Sequence, residues 1–335
     1  MQIAAFSAAK DPDRPEANED RFVVVQDRLY AVIDGVTDRT GRRYDGRTGG
    51  RVAADATEAA LLSLAAEGAH PTLDAAGLLA RLNASFQAAY RRHGVLEEAK
   101  AAESSRFGST LALAVDRGDR FGFFFVGDSG IRFNGGEIVR HDKDLDHIIA
   151  TLRGFAYHKV AKAGADPTAT ELASRALCWR GVGSLPAEAA SWIGEADLAE
   201  IREAALARLT SELPKIPVAD ITRMIDNGII GAQGGYQNRP DLVLGYSSVD
   251  GFSLTVAGIE AFDRPKAGIA TLELYTDGYF ALPDRPTIAA WEAMADEVER
   301  VDPAKVSLYP STKGSLGRIR ADDRTVVIVS NEDPA

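Results

Sequence analysis

The sequence is short of cysteine, of ligand-spaced histidine, of positive charge and of long apolar runs, and each shortage removes a class of function. Cys178 stands alone among 335 residues, so no internal disulfide can form, and the expected compartment is the cytoplasm. The five histidines, His70, His93, His141, His147 and His158, show no metal-ligand spacing. No apolar run is long enough to span a bilayer, and the N-terminal stretch lacks the basic and apolar regions of a signal peptide. Lys and Arg number 38 against 49 Asp and Glu, a formal charge of −11. Such a surface argues against a general binder of nucleic acid or anionic membrane. A phosphate-bearing substrate would have to be attracted by metal ions or a few arginines. Repeats and low-complexity tracts are also missing. What remains is a composition of 45% hydrophobic and 26% charged residues, that of an ordinary globular chain with room for one large domain or two small ones.

Against that background, the carboxylates at strand ends stand out. Leu29-Tyr30-Ala31-Val32-Ile33 runs straight into Asp34-Gly35 and reads as a buried strand tipped by an acid. Phe22-Val23-Val24-Val25, preceded by Asn18-Glu19-Asp20, reads as its neighbour. The pattern recurs in Leu272-Glu273-Leu274-Tyr275-Thr276-Asp277-Gly278, and Asp322-Asp323-Arg324-Thr325 leads into Val326-Val327-Ile328-Val329. Asp-Gly is also a common turn dipeptide, and Asp45-Gly46 and Asp250-Gly251 read as ordinary turns. Four acid-tipped strands brought together would make a set of hard oxygen ligands suited to magnesium or manganese rather than zinc.

In chain order, residues 2–8 and 21–35 read as β, and a polar loop covers 37–51. Helices are expected over 52–66 and 73–92. In the second, Leu78, Leu82, Phe86 and Tyr90 recur at helical spacing as a core-facing stripe. Strands at 107–115, 121–126, 131–133 and 137–139 read as a β-meander, with Gly127-Asp128-Ser129 as one of its turns. Residues 141–235 read as a helical insertion, with helices around Ile148, over 198–209 and over 218–225, punctuated by Pro167, Pro186, Pro214 and Pro217. Strand character returns at 242–246 and 252–256, and 287–301 forms a last helix. Two β layers with a helix pair between them in sequence indicate an α+β sandwich, a single domain over 1–335 with the insertion inside it. Gly234-Gly235 reads as a turn, and Cys178 has no reactive context.

Taken in order, Asn18-Glu19-Asp20, Ile33-Asp34-Gly35, Gly108-Ser109-Thr110, Val126-Gly127-Asp128-Ser129, Thr276-Asp277-Gly278 and Asp322-Asp323-Arg324-Thr325 resemble the metal-dependent serine/threonine phosphatases of the protein phosphatase 2C family. The resemblance spans about residues 2 to 330 and is weakest over 141–240. It implies a four-layer α/β/β/α sandwich with a helical insertion and a binuclear manganese or magnesium centre at one end. It further implies that Asp34 bridges the two metals, that the Gly35 carbonyl is a ligand, and that Asp277 and Asp322 are further ligands. Glu19 and Asp20 match the acids that hold metal-bound waters, and Asp128 matches a residue tied to a third ion. The implied reaction is attack on a phosphoserine or phosphothreonine ester of a protein by a water shared between the ions.

The chain departs from the family pattern at four places. Pro15 stands where the phosphate-binding arginine is common, with Arg14 one residue away. Val36 replaces a histidine suspected as general acid, Gly49-Gly50 is displaced by about a dozen residues, and Ala281 stands where an aspartate would complete a third metal site. Two ions are therefore expected, with the third doubtful. Two rival readings are a catalytically silent phosphatase-like binding module and a phosphatase of small phosphate esters.

Overall fold

The computed structural model describes residues 1–37 and 41–331. Of the polar loop expected over 37–51, residues 38–40 lie outside the described residues. The first half contains β1 (Gln2–Ala8), β2 (Arg21–Val25), β3 (Leu29–Ile33), β4 (Gly35–Val36), β5 (Arg43–Tyr44), β6 (Arg47–Thr48), α1 (Gly49–Ala66), α2 (Ala75–Arg92) and α3 (Leu96–Ala101). Strands β7 (Gly108–Ser109), β8 (Leu111–Asp116), β9 (Arg120–Val126), β10 (Gly130–Phe133) and β11 (Glu137–Val139) follow. Next come α4 (Asp144–Lys162), α5 (Pro167–Arg180), α6 (Glu195–Glu212) and α7 (Val218–Ala232), then β12 (Glu260–Pro265), β13 (Thr271–Tyr275), α8 (Ile288–Val301) and β14 (Arg324–Ser330). Among the described residues no helix is long and apolar enough to cross a membrane.

The chain divides into two compact units. The first contains two antiparallel five-stranded sheets, ordered β1-β14-β13-β10-β11 and β12-β9-β8-β3-β2. Side chains alternate across a strand, and their partners define the layers. From β3, Tyr30 and Val32 meet Ile131, Leu274, Val327 and Val329 of the opposite sheet. Leu29, Ala31 and Ile33 pack instead with Leu61 and Leu64 of α1 and with Leu82 and Phe86 of α2. On the far side, Val326 and Ile328 of β14 pack with Trp291 of α8. The order of layers is therefore helix pair, sheet, sheet, helix, which is the expected four-layer sandwich. It also explains why β3 is apolar at every position, since both of its faces are covered.

The strands expected to form one meander belong to two sheets. After β9 the chain leaves one sheet at Gly127-Asp128-Ser129 and enters the other as β10. Gly127 permits the crossing: its φ is +84°, and a Cβ there would lie 2.6 Å from Thr110 Cγ2. The expected strands at 242–246 and 252–256 do not form. Residues 242–245 are turns closed by Arg239 and Leu242 carbonyls. At 252–254, the Asp250 carboxylate accepts the N–H groups of Phe252, Ser253 and Leu254 at 2.9, 2.8 and 3.4 Å, which fixes a turn where apolar content had suggested extension. Asp250 is itself buried and paired with Arg106 at 3.2 Å, more than an ordinary turn acid.

The second unit is helical and comprises residues 142–245 together with 297–321. It includes α5, which the sequence reading passed over. Pro167 does not punctuate the chain but opens that helix at its first turn, with Asp166 Oδ1 accepting the Ala169 N–H at 2.9 Å. The fully buried Arg153 of α4 donates to the carbonyls of Lys305, Ser311 and Ala304 at 3.0, 3.0 and 2.7 Å and pairs with Glu171 of α5. Glu171 in turn accepts the Gly314 N–H at 2.8 Å. These bonds join the two stretches of chain that make up this unit.

Candidate metal centre

Strand register gathers the acids at one end of the sandwich. Arg21 pairs with Ile33, which sets Asp20 beside Asp34. Tyr275 pairs with both Val326 and Gly130, which sets Asp277 between the start of β14 and the Asp128 crossing. One carboxylate oxygen from each of Asp34, Asp128 and Asp277 lies within 4.8 Å of the others. Asp322 stands next to this trio, close enough for its charge to act on Asp34. Its Oδ1 accepts the Asp323 N–H at 3.1 Å and lies 3.7 Å from Lys10 Nζ.

Burial pushes the Asp34 carboxyl well above the ordinary carboxylate value, and the charges of Asp277, Asp20, Asp322 and Asp128 push it further. Asp20 is raised as well, first by burial and then by Asp323, against hydrogen bonds from Thr276 and Thr325 that favour its ionised form. Thr276 Oγ1 donates to Asp20 Oδ2 at 2.7 Å and accepts the Thr325 N–H at 2.9 Å. Asp20 precedes a strand of one sheet and Thr276 follows a strand of the other, so this bond ties the two sheets together at the acid end.

Backbone packing beside Asp34 requires glycine. A Cβ on Gly35 would lie 2.2 Å from the Gly50 oxygen and 2.8 Å from the Glu19 oxygen. A Cβ on Gly50 would lie 2.6 Å from both Glu19 Oε1 and the Gly35 oxygen. The displaced diglycine thus returns to Asp34-Gly35 despite the longer loop, as the N-terminus of α1, capped by Thr48 Oγ1 on the Arg51 N–H at 3.2 Å. Glu19 Oε1 is buried and has no hydrogen-bond partner among the described residues, yet it faces the same point as the Gly35 carbonyl. An orphaned carboxylate oxygen there fits the water shell of a hard cation, and the all-oxygen donor set fits manganese or magnesium.

Arg14 lies at the rim: its side chain is 57% exposed and stands 3.7 Å from Glu16. Sequence reasoning missed Lys10. Its backbone N–H donates to Asp323 Oδ1 at 2.6 Å, and its Nζ lies 3.1 Å from Glu19 Oε2 and 3.2 Å from Asp323 Oδ2. Burial alone would lower its pKa, but the carboxylates of Asp322, Asp323 and Glu19 outweigh burial and raise it. A lysine two residues past a strand carries no spacing signal, and only the pairing of β1 with β14 brings it here. Thr276 and Thr325 stand within the acid motifs, but nothing in the sequence points to their bonds with Asp20.

The protein phosphatase 2C family model matches residues 13–149, a span that includes Glu19, Asp20, Asp34 and Asp128 but not Asp277 or Asp322. Among solved structures, the chain is similar to the Mycobacterium tuberculosis serine/threonine phosphatase PstP/Ppp, at 18% identity over 99% of each chain with a TM-score of 0.40. It is similar to the catalytic domain of PstP in complex with two manganese ions, at 18% identity over 98% of this chain and 97% of that one, TM-score 0.43. The Staphylococcus aureus phosphatase Stp1 is similar at 13% identity over 99% and 96%, TM-score 0.44. No curated protein matches the chain.

Proposed function

We propose that this chain, whose residues 13–149 match the protein phosphatase 2C family model, is a metal-dependent phosphatase that hydrolyses phosphoserine and phosphothreonine in proteins. The observation that carries this reading is the convergence of Asp34, Asp128 and Asp277 within 4.8 Å, with Asp20 and Asp322 acting on the same carboxyl. Like charges gathered in a buried site repel, and dications remove that repulsion while satisfying the oxygens. Asp34, Asp277, Asp322 and the Gly35 carbonyl would hold two manganese or magnesium ions. Glu19 and Asp20 would accept hydrogen bonds from the ions' waters, and Asp128 would serve a weaker third position. Bound there, the ions would supply an activated water and offset charge on the phosphoryl oxygens.

The chain's own groups fix the geometry. Thr276 holds Asp20, and the close approach of Gly35 to Gly50 fixes the Gly35 carbonyl. Arg14 stays at the surface, where a guanidinium can pair with a substrate phosphate. A silent binding module would have no use for acids gathered this closely, whose like charges repel.

The test is hydrolysis of p-nitrophenyl phosphate and of a phosphopeptide panel, with manganese and then with chelator. Activity should require the metal, and Asp34→Asn should lower turnover on the order of 10²-fold or more. Wild-type turnover by Asp34→Asn at saturating manganese would sink the assignment. Phosphorylated metabolites in the same panel separate a small-ester phosphatase from a protein phosphatase.

A further inference from the structure

Lys10 lies outside both the family-matched segment and the expected ligand set, yet it is built into the acid cluster. Its main chain and its side chain bind the same partner, Asp323: N–H to Oδ1 at 2.6 Å and Nζ to Oδ2 at 3.2 Å. Asp323 is buried and also accepts the Glu19 N–H at 3.0 Å. The ammonium then reaches Glu19 Oε2 at 3.1 Å and Asp322 Oδ1 at 3.7 Å. With its side chain 26% exposed, this lysine differs from a rim lysine in one loose pair. One cation serves three carboxylates, two of which are expected to act on metal or on its waters.

We propose that Lys10 is a resident counter-cation of the metal centre, sharing Glu19 and Asp322 with the incoming ions and thereby setting how tightly they bind. The inference rests on the two-metal reading of the site. Lys10 holds the outer acids together before metal arrives, and once metal is bound its positive charge opposes the dications at short range. A unit charge facing a dication a few ångströms away, in water-like surroundings, changes affinity on the order of tenfold.

Manganese calorimetry and thermal melts of the full chain, with and without manganese, test this on wild type, Lys10→Met and Lys10→Arg. Lys10→Met should bind manganese about tenfold more tightly. Its melting temperature should fall without metal and return close to wild type with metal. Lys10→Arg keeps the charge and should resemble wild type in both measurements. Unchanged or weaker manganese binding by Lys10→Met would overturn the proposal, as would an equal melting loss with and without metal, since a purely structural lysine gives the latter. Failure of wild type to bind manganese would instead overturn the two-metal reading, and this inference with it.

Discussion

At Gly50 two oxygens of the acid cluster converge on the space a side chain would fill. Gly50→Ala puts a methyl 2.6 Å from Glu19 Oε1 and from the Gly35 carbonyl oxygen; the Glu19 side chain can turn aside, but the Gly35 backbone cannot retreat without moving Asp34. The expected cost is about 1–3 kcal/mol of stability, together with weaker manganese binding, read by thermal melts and calorimetry. Gly136→Ala is the control: nothing lies within 4 Å of its Cβ position, and its effect should stay within about 0.5 kcal/mol. At this scale the acids were legible, because strand-end carboxylates leave a motif. Lys10 was not, because a salt-bridged lysine is recognised only by partners that lie 9, 312 and 313 positions away. The diglycine was legible as a motif, but its contact with Gly35 depended on a hairpin, β5–β6, absorbing the extra loop.

Among elements, the sequence located strands by apolar content and failed where a side chain captured the backbone first. Phe252 to Val256 is apolar enough for a strand, yet Asp250 binds three successive N–H groups and holds a turn. Conversely, β12 is a real strand with a mostly exposed, charged sequence, which concealed it. The same physics stabilises the second unit at Asp302, whose carboxylate accepts the N–H groups of Val306, Ser307, Leu308 and Tyr309 at 3.3, 3.1, 2.9 and 2.9 Å. Burial would raise the Asp302 pKa, but these four donors outweigh it and hold the carboxyl below its ordinary 3.8. A folded-state pKa below the unfolded one stabilises the protein above the unfolded value, and that contribution is lost as pH falls through the folded value. Asp302→Asn should therefore cost about 1–3 kcal/mol at pH 7, with the gap to wild type narrowing below about pH 4. Urea unfolding at pH 7 and pH 3 measures both. A gap that stayed constant would show that shape, not charge, matters there.

On the scale of the whole molecule, the sandwich and a helical stretch over 141–235 were legible, and the share of 297–321 in the helical unit was not. Unbroken apolar runs announce strands with two covered faces, but the joining of two separate stretches into one helical unit leaves no local trace. Residues 297–321 join 142–245 through Arg153 and Glu171, so any excision must treat both stretches together. Removing 142–245 alone would leave the carbonyls of Ala304, Lys305 and Ser311 without the guanidinium that satisfies them. Arg153→Met makes the same point with one substitution. It leaves Glu171 with Arg175 alone, at 2.8 Å, and the three carbonyls without their donor, at a cost of about 1–3 kcal/mol, measured by denaturant unfolding. The acids proposed for catalysis all belong to the sandwich unit, so the chemistry should survive without the helical unit if that unit selects substrates. A chain with both 142–245 and 297–321 replaced by short linkers, first shown to be folded by circular dichroism, should hydrolyse p-nitrophenyl phosphate within about tenfold of wild type. Its ranking of phosphopeptides should change. Loss of both activities in that folded chain would show instead that the helical unit supplies groups to the reaction, and the division of labour between the two units would have to be withdrawn.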